Sequence, residues 1–524
     1  MKFPRNNLIA VSLIFYFGLF VFFPSSLFGK NGLFRSSIGT EPPTLDPSLA
    51  TDGTSILIIE NLMEGLTQFN RELIPRPAIA RRWEISPDGK RVLFYLRNDV
   101  LWSDGKPLTA DDFEYAWKRL LNPLTASEYA YFLYDVENAE AYNQGKLQNA
   151  RLVGVRAIEP FILEVRLKKP VPYFTSITTF SATFPLRKDL IEKYGNHWTD
   201  PGKMVVNGPY RLKEWRHEYK LKLEANVSYY GEKPFCEQIE LFIINNTATA
   251  LTLYETGSLD MVPLSPEAID YYKKSPEYVT QPLLRGYYYG FNVSIPPFND
   301  VRVRKAFFMG IDREELPRIL KGGERPAYSW IPPGMLGYEE AAGLRFQPKI
   351  AEKLLAEAGY PGGKNFPKVT LAFNTDMVHA LVAENIQAQL KRNLRVTIHL
   401  ENMEWKVYLT KIQADTPQVF RLGWGADYPD PDNFMNLFVA GGGNNHTHWG
   451  SPVYDQLILK ASSERDPEIR RALYHEAQKI LTEKEVPIMP LFVSVQNLLV
   501  KPYIQGLETN PMELLAFKKI KVVR

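Results

Sequence analysis

The chain has 524 residues, a net charge of +3 from 62 Lys and Arg against 59 Asp and Glu, and 45% hydrophobic beside 23% charged residues. At roughly 100–200 residues per domain it exceeds one small module, and this balance excludes disorder and low complexity. A charge so near zero, with no long basic run, excludes nucleic acid as an expected partner, and the lone Cys236 excludes intrachain disulfides and thiolate metal clusters.

In chain order, Lys2 and Arg5 precede the uncharged run Leu8 to Phe23, which Pro24, Ser25, Ser26 and Gly29 follow. A basic start, an apolar core and small residues are the layout of a secretory signal peptide over residues 1–29, and an uncleaved membrane anchor is the alternative. No Cys follows the apolar run, so the expectation is a protein without a lipid anchor, lying between two membranes if the source is bacterial. From Arg35 onward, strand-like runs alternate with amphipathic helices, and no glycine-serine or proline-rich linker divides the chain.

Period-two alternation predicts strands over Arg91 to Arg97, Phe161 to Leu167, Tyr219 to Glu224 and Arg395 to Leu400. Thr109 reads as the N-cap of a helix that turns Phe113, Ala116, Trp117, Leu120 and Leu121 inward and stops before Pro123. A second helix spans Ile350 to Ala358 and is closed by Gly359 and Pro361. A third starts at Asp466 and turns Ile469, Ala472, Leu473, Ile480 and Leu481 inward. The fold class is mixed α/β, and no period of 20–50 residues suggests a solenoid or propeller.

Catalytic signatures are sparse. No nucleophile elbow occurs, and His475-Glu476 has Lys479 where a zinc protease needs its second His. The Gly359–Asn365 stretch resembles a phosphate loop but lacks its spacing and its Ser or Thr, so it reads as a helix-ending turn. Gly441-Gly442-Gly443 reads as a flexible loop rather than a dinucleotide fingerprint. His446 and His448 would share one face of a strand, as part of a metal site would, but no Cys or acidic residue stands immediately beside the pair, so a metal is the minor reading. Asp427, Asp430 and Asp432 lie close together, as a glycosidase pair would, or form a solvated loop.

Several phrases follow one another in order: Glu41-Pro42-Pro43-Thr44-Leu45-Asp46-Pro47, Ser86-Pro87-Asp88-Gly89, Trp102 to Phe113 with its Ser-Asp-Gly-Lys-Pro core, and Asn207-Gly208-Pro209-Tyr210 before Trp215. Pro297 to Ala306 with Ile311-Asp312-Arg313, and Arg421-Leu422-Gly423-Trp424-Gly425-Ala426-Asp427-Tyr428, complete the set. Together they resemble the extracytoplasmic solute-binding proteins of family 5, specifically the oligopeptide-binding members that feed ATP-driven importers, and the match runs from Arg35 to the end.

That resemblance implies a two-lobed hinge fold of the type II periplasmic-binding kind, with an additional inserted domain. One lobe is expected from residues 30–63, 186–286 and 494–524, the inserted domain from 64–185, and the second lobe from 287–493. It implies an extended short peptide enclosed between the lobes, no enzymatic activity, no cofactor and no metal. It further implies a monomer in the periplasm, partnered by a membrane permease and its ATPase subunits.

Residue by residue, the resemblance assigns Asp427 to the peptide's α-ammonium and Gly423, Trp424 and Gly425 to main-chain contacts. Trp424 and Trp405 would wall a side-chain pocket. Asp52, Gly53 and Thr54 would meet the ligand backbone from the other lobe. Arg421, Lys411 and His379 would receive carboxy termini of different lengths, and Asn374, Tyr288 and Tyr129 would line the cleft, with at most two of Tyr287, Tyr288 and Tyr289 facing it. A carrier for many sequences must read what peptides share, the backbone amides and two charged ends, and leave water to fill roomy side-chain pockets. Two other readings are open: the same fold with another solute, such as a dipeptide, cell-wall peptide, metal chelate, haem or sugar, and a secreted hydrolase using Asp427 and Asp430.

Overall fold

The structure, a computed structural model, describes residues 32–524, so the signal-peptide segment lies outside the described residues. Its frame is one long mixed sheet. The strands are β1 (Leu33–Ile38), β6 (Tyr210–Arg216), β7 (Lys220–Ala225), β8 (Gln238–Ile243), β9 (Met261–Pro263), β10 (Tyr278–Phe291), β11 (Thr370–Asn374), β12 (His399–Met403), β13 (Val419–Gly425) and β14 (Ile488–Val500). Their spatial order is β12-β11-β13-β10-β14-β9-β1-β8-β7-β6. A separate antiparallel sheet holds β2 (Ala80–Ile85), β3 (Arg91–Leu96), β5 (Ile162–Arg166) and β4 (Val155–Glu159), in the order β2-β3-β5-β4.

The two longest strands, β10 and β14, run antiparallel through the middle of the long sheet. The first half of β10, Tyr278 to Pro282, pairs with Leu499 to Val495, and its second half, Gly286 to Gly290, pairs with Val493 to Ile488. Between Pro282 and Gly286 the register breaks. A ladder interrupted there bends more easily than a regular one, and Pro282 removes a donor on the spot. Before the break Val279 packs against the core that holds Phe34, and after it Leu284, Tyr287 and Tyr288 enter the other cores.

Four packed cores surround this frame. The largest takes in Phe34, Ile58 and Tyr210 of the first half and runs without interruption into the four-stranded sheet through Phe94, Phe113, Trp117 and Val165. On the second half, alternation along β10 divides the aromatic run: Tyr287 and Tyr289 enter the core of one face, and Tyr288 that of the other.

Several local expectations meet the structure. Helix α2 (Ala110–Leu121) is capped by a reciprocal Thr109–Asp112 box, and its five expected apolar residues are all buried. The helix Pro348–Glu357 ends at Gly359, whose φ of +102° suits glycine. The expected strand at Arg395 is corrected: Arg395 is the left-handed C-cap of α3 (Met377–Leu394), and the strand begins only at His399. Helix α5 (Pro467–Lys479) starts at its Asp466 cap, and Ile480 and Leu481 just past its end are buried as expected, but within the helix Ile469 and Ala472 are exposed and Arg470, Tyr474, Ala477 and Gln478 lie inside. His446 and His448 lie outside any strand, His448 at φ 57°, and among the described residues no group of three or more metal-ligating side chains occurs. Among those residues no helix is long and apolar enough to cross a membrane.

Candidate functional site

Strand β13 pairs with β10 along its whole length, from Val419 against Phe291 to Gly425 against Arg285. On its other side β11 reaches only Val419 and Phe420. Arg421 to Gly425 therefore have no partner strand on that side, where Tyr408 Oη donates to the Arg421 carbonyl at 2.6 Å and leaves the main chain beyond it free. At roughly 3.3 Å per residue this edge spans roughly 13 Å, about four extended residues. Glycines at 423 and 425 allow the close approach of the paired strand β10. A side chain at Gly423 would stand 3.1 Å from the Gly286 carbonyl oxygen, and one at Gly425 3.2 Å from Arg285 Nε.

Asp427 stands just past the end of this edge. Tyr129 Oη donates to its Oδ1 at 3.3 Å, Asn433 Nδ2 donates to its Oδ2 at 3.2 Å, and its own amide donates to Asn433 Oδ1 at 3.0 Å. Asn433 Oδ1 also accepts from Trp424 Nε1 at 3.0 Å, so one side chain fixes both the carboxylate and the ring. Burial pushes the Asp427 carboxyl up to about 7, against the opposing help of Asn433 and Tyr129. Among the described residues no cation pairs with it.

At the other end of the edge the charge is reversed. Arg421 donates from Nη1 to Asn374 Oδ1 at 3.2 Å, its guanidinium lies 4.5 Å over the Tyr287 ring, and its buried Nε has no hydrogen bond. Among the described residues no carboxylate pairs with it. His379 Nδ1 meets Tyr287 Oη at 3.3 Å and Asp376 at 3.6 Å. Burial and the Arg421 charge hold the imidazole down to about 2, which disfavours the expected point charge at His379.

The remaining expected residues divide. Tyr129 reaches the cleft from beside α2 and stacks near Tyr131, whose buried hydroxyl has no partner. Tyr288 is corrected: it packs edge-on against Trp330 and Phe438, and Tyr287 on the opposite face is the tyrosine that meets Arg421. On α4 (Trp405–Ala414), Lys411 is drawn to Asp415 at 3.1 Å and makes no hydrogen bond or ion pair with Arg421, Asn374 or His379. Trp405, first on that helix, is 39% exposed and lies 6.2 Å from Tyr408. Asp52 caps α1 (Gly53–Leu62) by accepting from the Ser55 amide at 2.9 Å, so its carboxylate is occupied by the helix. Gly53 is exposed, and Thr54 meets Thr40 at 3.2 Å. A cavity of about 430 Å³ lies apart from this edge, against the hinge beside Leu73, Leu284, Met335 and Val493.

Asp430 is not free for acid–base work. Arg470 grips it with both terminal nitrogens, at 2.6 and 2.5 Å, within a buried cluster with Tyr474. The cleft is shut on this side by contacts between the two halves. Tyr173 stacks on Tyr428 at 5.3 Å, Phe132 meets Tyr428 at 5.6 Å, and Arg465 Nη1 donates to the Pro87 carbonyl at 3.0 Å.

Reading the sequence missed Asn433 and named Tyr287 only within its run of three tyrosines. Nothing marks Asn433 in the sequence, because only the loop through Pro429 and Pro431 folds it back onto Asp427. Alternation narrowed the tyrosines without choosing a face.

A sheet edge held inside a hinged body, with an anion beyond one end and a cation at the other, defines a solute-binding protein, and comparison agrees. The chain matches the model of the bacterial extracellular solute-binding proteins, family 5, over residues 75–446, more than half its length, and belongs to that family. It is 36% identical over 480 residues to the oligopeptide-binding protein OppA of Bacillus subtilis, covering 88% of each chain. It superposes on the Haemophilus influenzae OppA complex with the peptide RPPGFSPFR with a TM-score of 0.87, at 32% identity over 94% of this chain and 99% of that one. Against the unliganded open form of a periplasmic murein tripeptide-binding protein the TM-score is 0.72, at 32% identity over 94% and 98%. The likeness to the peptide complex is the greater, as expected of a shut cleft.

Proposed function

We propose that this chain is an extracytoplasmic carrier that captures short peptides in extended form between its lobes and delivers them to an ATP-driven importer. The observation that carries the reading is the free edge Arg421–Gly425, with unpaired Arg421 at one end and Asp427 past the other. A peptide laid along it gains main-chain hydrogen bonds, its α-ammonium meets Asp427, and its carboxylate meets the fork of Arg421. Tyr129 steadies Asp427, Asn374 steadies Arg421, and neutral His379 offers a hydrogen bond. In this reading Lys411, Trp405, Asp52, Gly53 and Thr54 contribute only at the margins, where longer ligands extend.

The domain division goes with it: residues 30–63, 186–286 and 494–524 as one lobe, 64–185 as the inserted domain and 287–493 as the other lobe. The protein acts as a monomer in the periplasm, performs no reaction and depends on a separate permease and ATPase. Relatives named for peptide binding support the cargo, and the Arg470–Asp430 pair argues against the hydrolase reading. Calorimetry with a panel of two- to five-residue peptides tests the proposal. Peptides with free amino ends should bind and their acetylated counterparts should not; equal binding of both would remove Asp427 from the role given to it.

A further inference from the structure

One residue of the second half is seated in the core of the first. Among the described residues of 287–493, Tyr428 alone joins the core that holds Phe34, Phe94 and Trp117. Tyr173 stacks on its ring at 5.3 Å with the planes 6° apart, and Phe132 meets it edge-on at 5.6 Å. Its hydroxyl turns back to its own half and donates to Asp432 Oδ2 at 3.1 Å, which fixes the ring on its loop. A polar rim surrounds this seat. Lys169 Nζ, 3.4 Å from Asp135, donates to Ser462 Oγ, Arg465 Nη1 donates to the Pro87 carbonyl, and the Arg470 guanidinium lies 5.2 Å over the Tyr173 ring. Pro87, Phe132, Asp135, Lys169 and Tyr173 all lie within 64–185, the stretch that carries the four-stranded sheet.

When the lobes part about the hinge, Tyr428 must leave that seat and its aromatic surface returns to water, which disfavours opening with or without a ligand. The same loop carries the anion of the cleft. Asp427 directly precedes Tyr428, and Tyr129, which donates to Asp427, packs its ring 4.9 Å from Phe132. An ammonium held at Asp427 therefore also holds Tyr428 in its seat, and each event favours the other. We propose that residues 64–185 form a clasp, and that Tyr428, seated against Tyr173 and Phe132, is the tongue that keeps the cleft shut and slows release of the peptide. The slowed release rests on the peptide reading above, while the hold on the lobes stands apart from it.

The test uses Tyr173→Ala, which empties the seat from the side away from Asp427 and Tyr129, beside Tyr173→Phe, which keeps the ring. Small-angle scattering of the ligand-free proteins at one neutral pH should give a larger radius of gyration for Tyr173→Ala than for the wild type and Tyr173→Phe. Release of a bound tripeptide, followed by stopped-flow tryptophan fluorescence, should be about tenfold faster from Tyr173→Ala, the scale of one lost aromatic pair, with the association rate nearly unchanged. Tyr173→Phe should release at close to the wild-type rate, and all three proteins should still reject the acetylated peptide. Radii that agree together with release rates within twofold, or a Tyr173→Phe as fast as Tyr173→Ala, overturn the clasp and leave the peptide reading standing. If the wild type binds no peptide, that reading falls, and the ligand-free radii alone decide the clasp. Should Tyr173→Ala fold poorly, Lys169→Ala with Arg465→Ala loosens only the rim and should speed release about threefold; an unchanged rate there overturns the proposal.

Discussion

At the scale of single residues, Asp427 is caught between two demands. Burial disfavours its charge, while Asn433 and Tyr129 donate to the charged form, and the balance leaves its carboxyl near 7. A ligand ammonium would tip that balance toward the anion. Asp427→Ala removes the partner and leaves the ammonium buried and unpaired, so peptide affinity should fall by about 2–5 kcal/mol. Titration calorimetry reads this directly, and a loss below about tenfold would contradict the assignment. Asn433→Ala leaves the carboxylate in place but frees both it and the Trp424 ring. Its loss in affinity should be smaller, about 1–3 kcal/mol, with the discrimination against acetylated peptides reduced rather than abolished. Full discrimination in that variant would show that Asn433 does not orient Asp427.

At the scale of elements, legibility depended on whether the deciding contact was local. Helix α2 could be read outright, because its capping box lies within four residues and its buried stripe is all apolar. Helix α5 had a legible cap and an illegible face. Its buried stripe is led by Arg470, which is held by Asp430 forty residues away and lies 5.2 Å over the Tyr173 ring. Apolar counting cannot see a buried cation. The free edge of β13 was legible as a motif but not as an edge, since that depends on where β11 stops. Arg470→Ala would leave Asp430 enclosed with no counter-charge, at a cost of about 3–5 kcal/mol in denaturant unfolding. Replacing both partners by apolar residues of similar volume should cost much less. If the single substitution proved as mild as the double, the pair would not hold α5 in its rotated setting.

At the scale of the whole molecule, the carboxylates of Asp427 and of Glu60 on α1 make closure respond to pH. In the shut form Asp427 sits near 7 and Glu60 near 8. Tyr129 and Tyr131 stand against Asp427, the Asp427 charge in turn acts on Glu60, and no cation among the described residues acts on either carboxylate. When the lobes part, both carboxyls rehydrate toward the ordinary carboxylate value of about 4. Between about 4 and 8 the shut form therefore binds more protons than the open one. Closure without ligand is then most favourable on the acid side and is lost as pH rises through 7 to 8. A bound peptide supplies the missing positive charge, so its affinity should rise over the same interval. Small-angle scattering of the ligand-free protein should give a larger radius of gyration at about pH 8.5 than at about pH 5. The double substitution Asp427→Asn with Glu60→Gln should flatten the difference. A radius indifferent to pH in the unaltered protein would mean that closure does not bury the two carboxylates in solution.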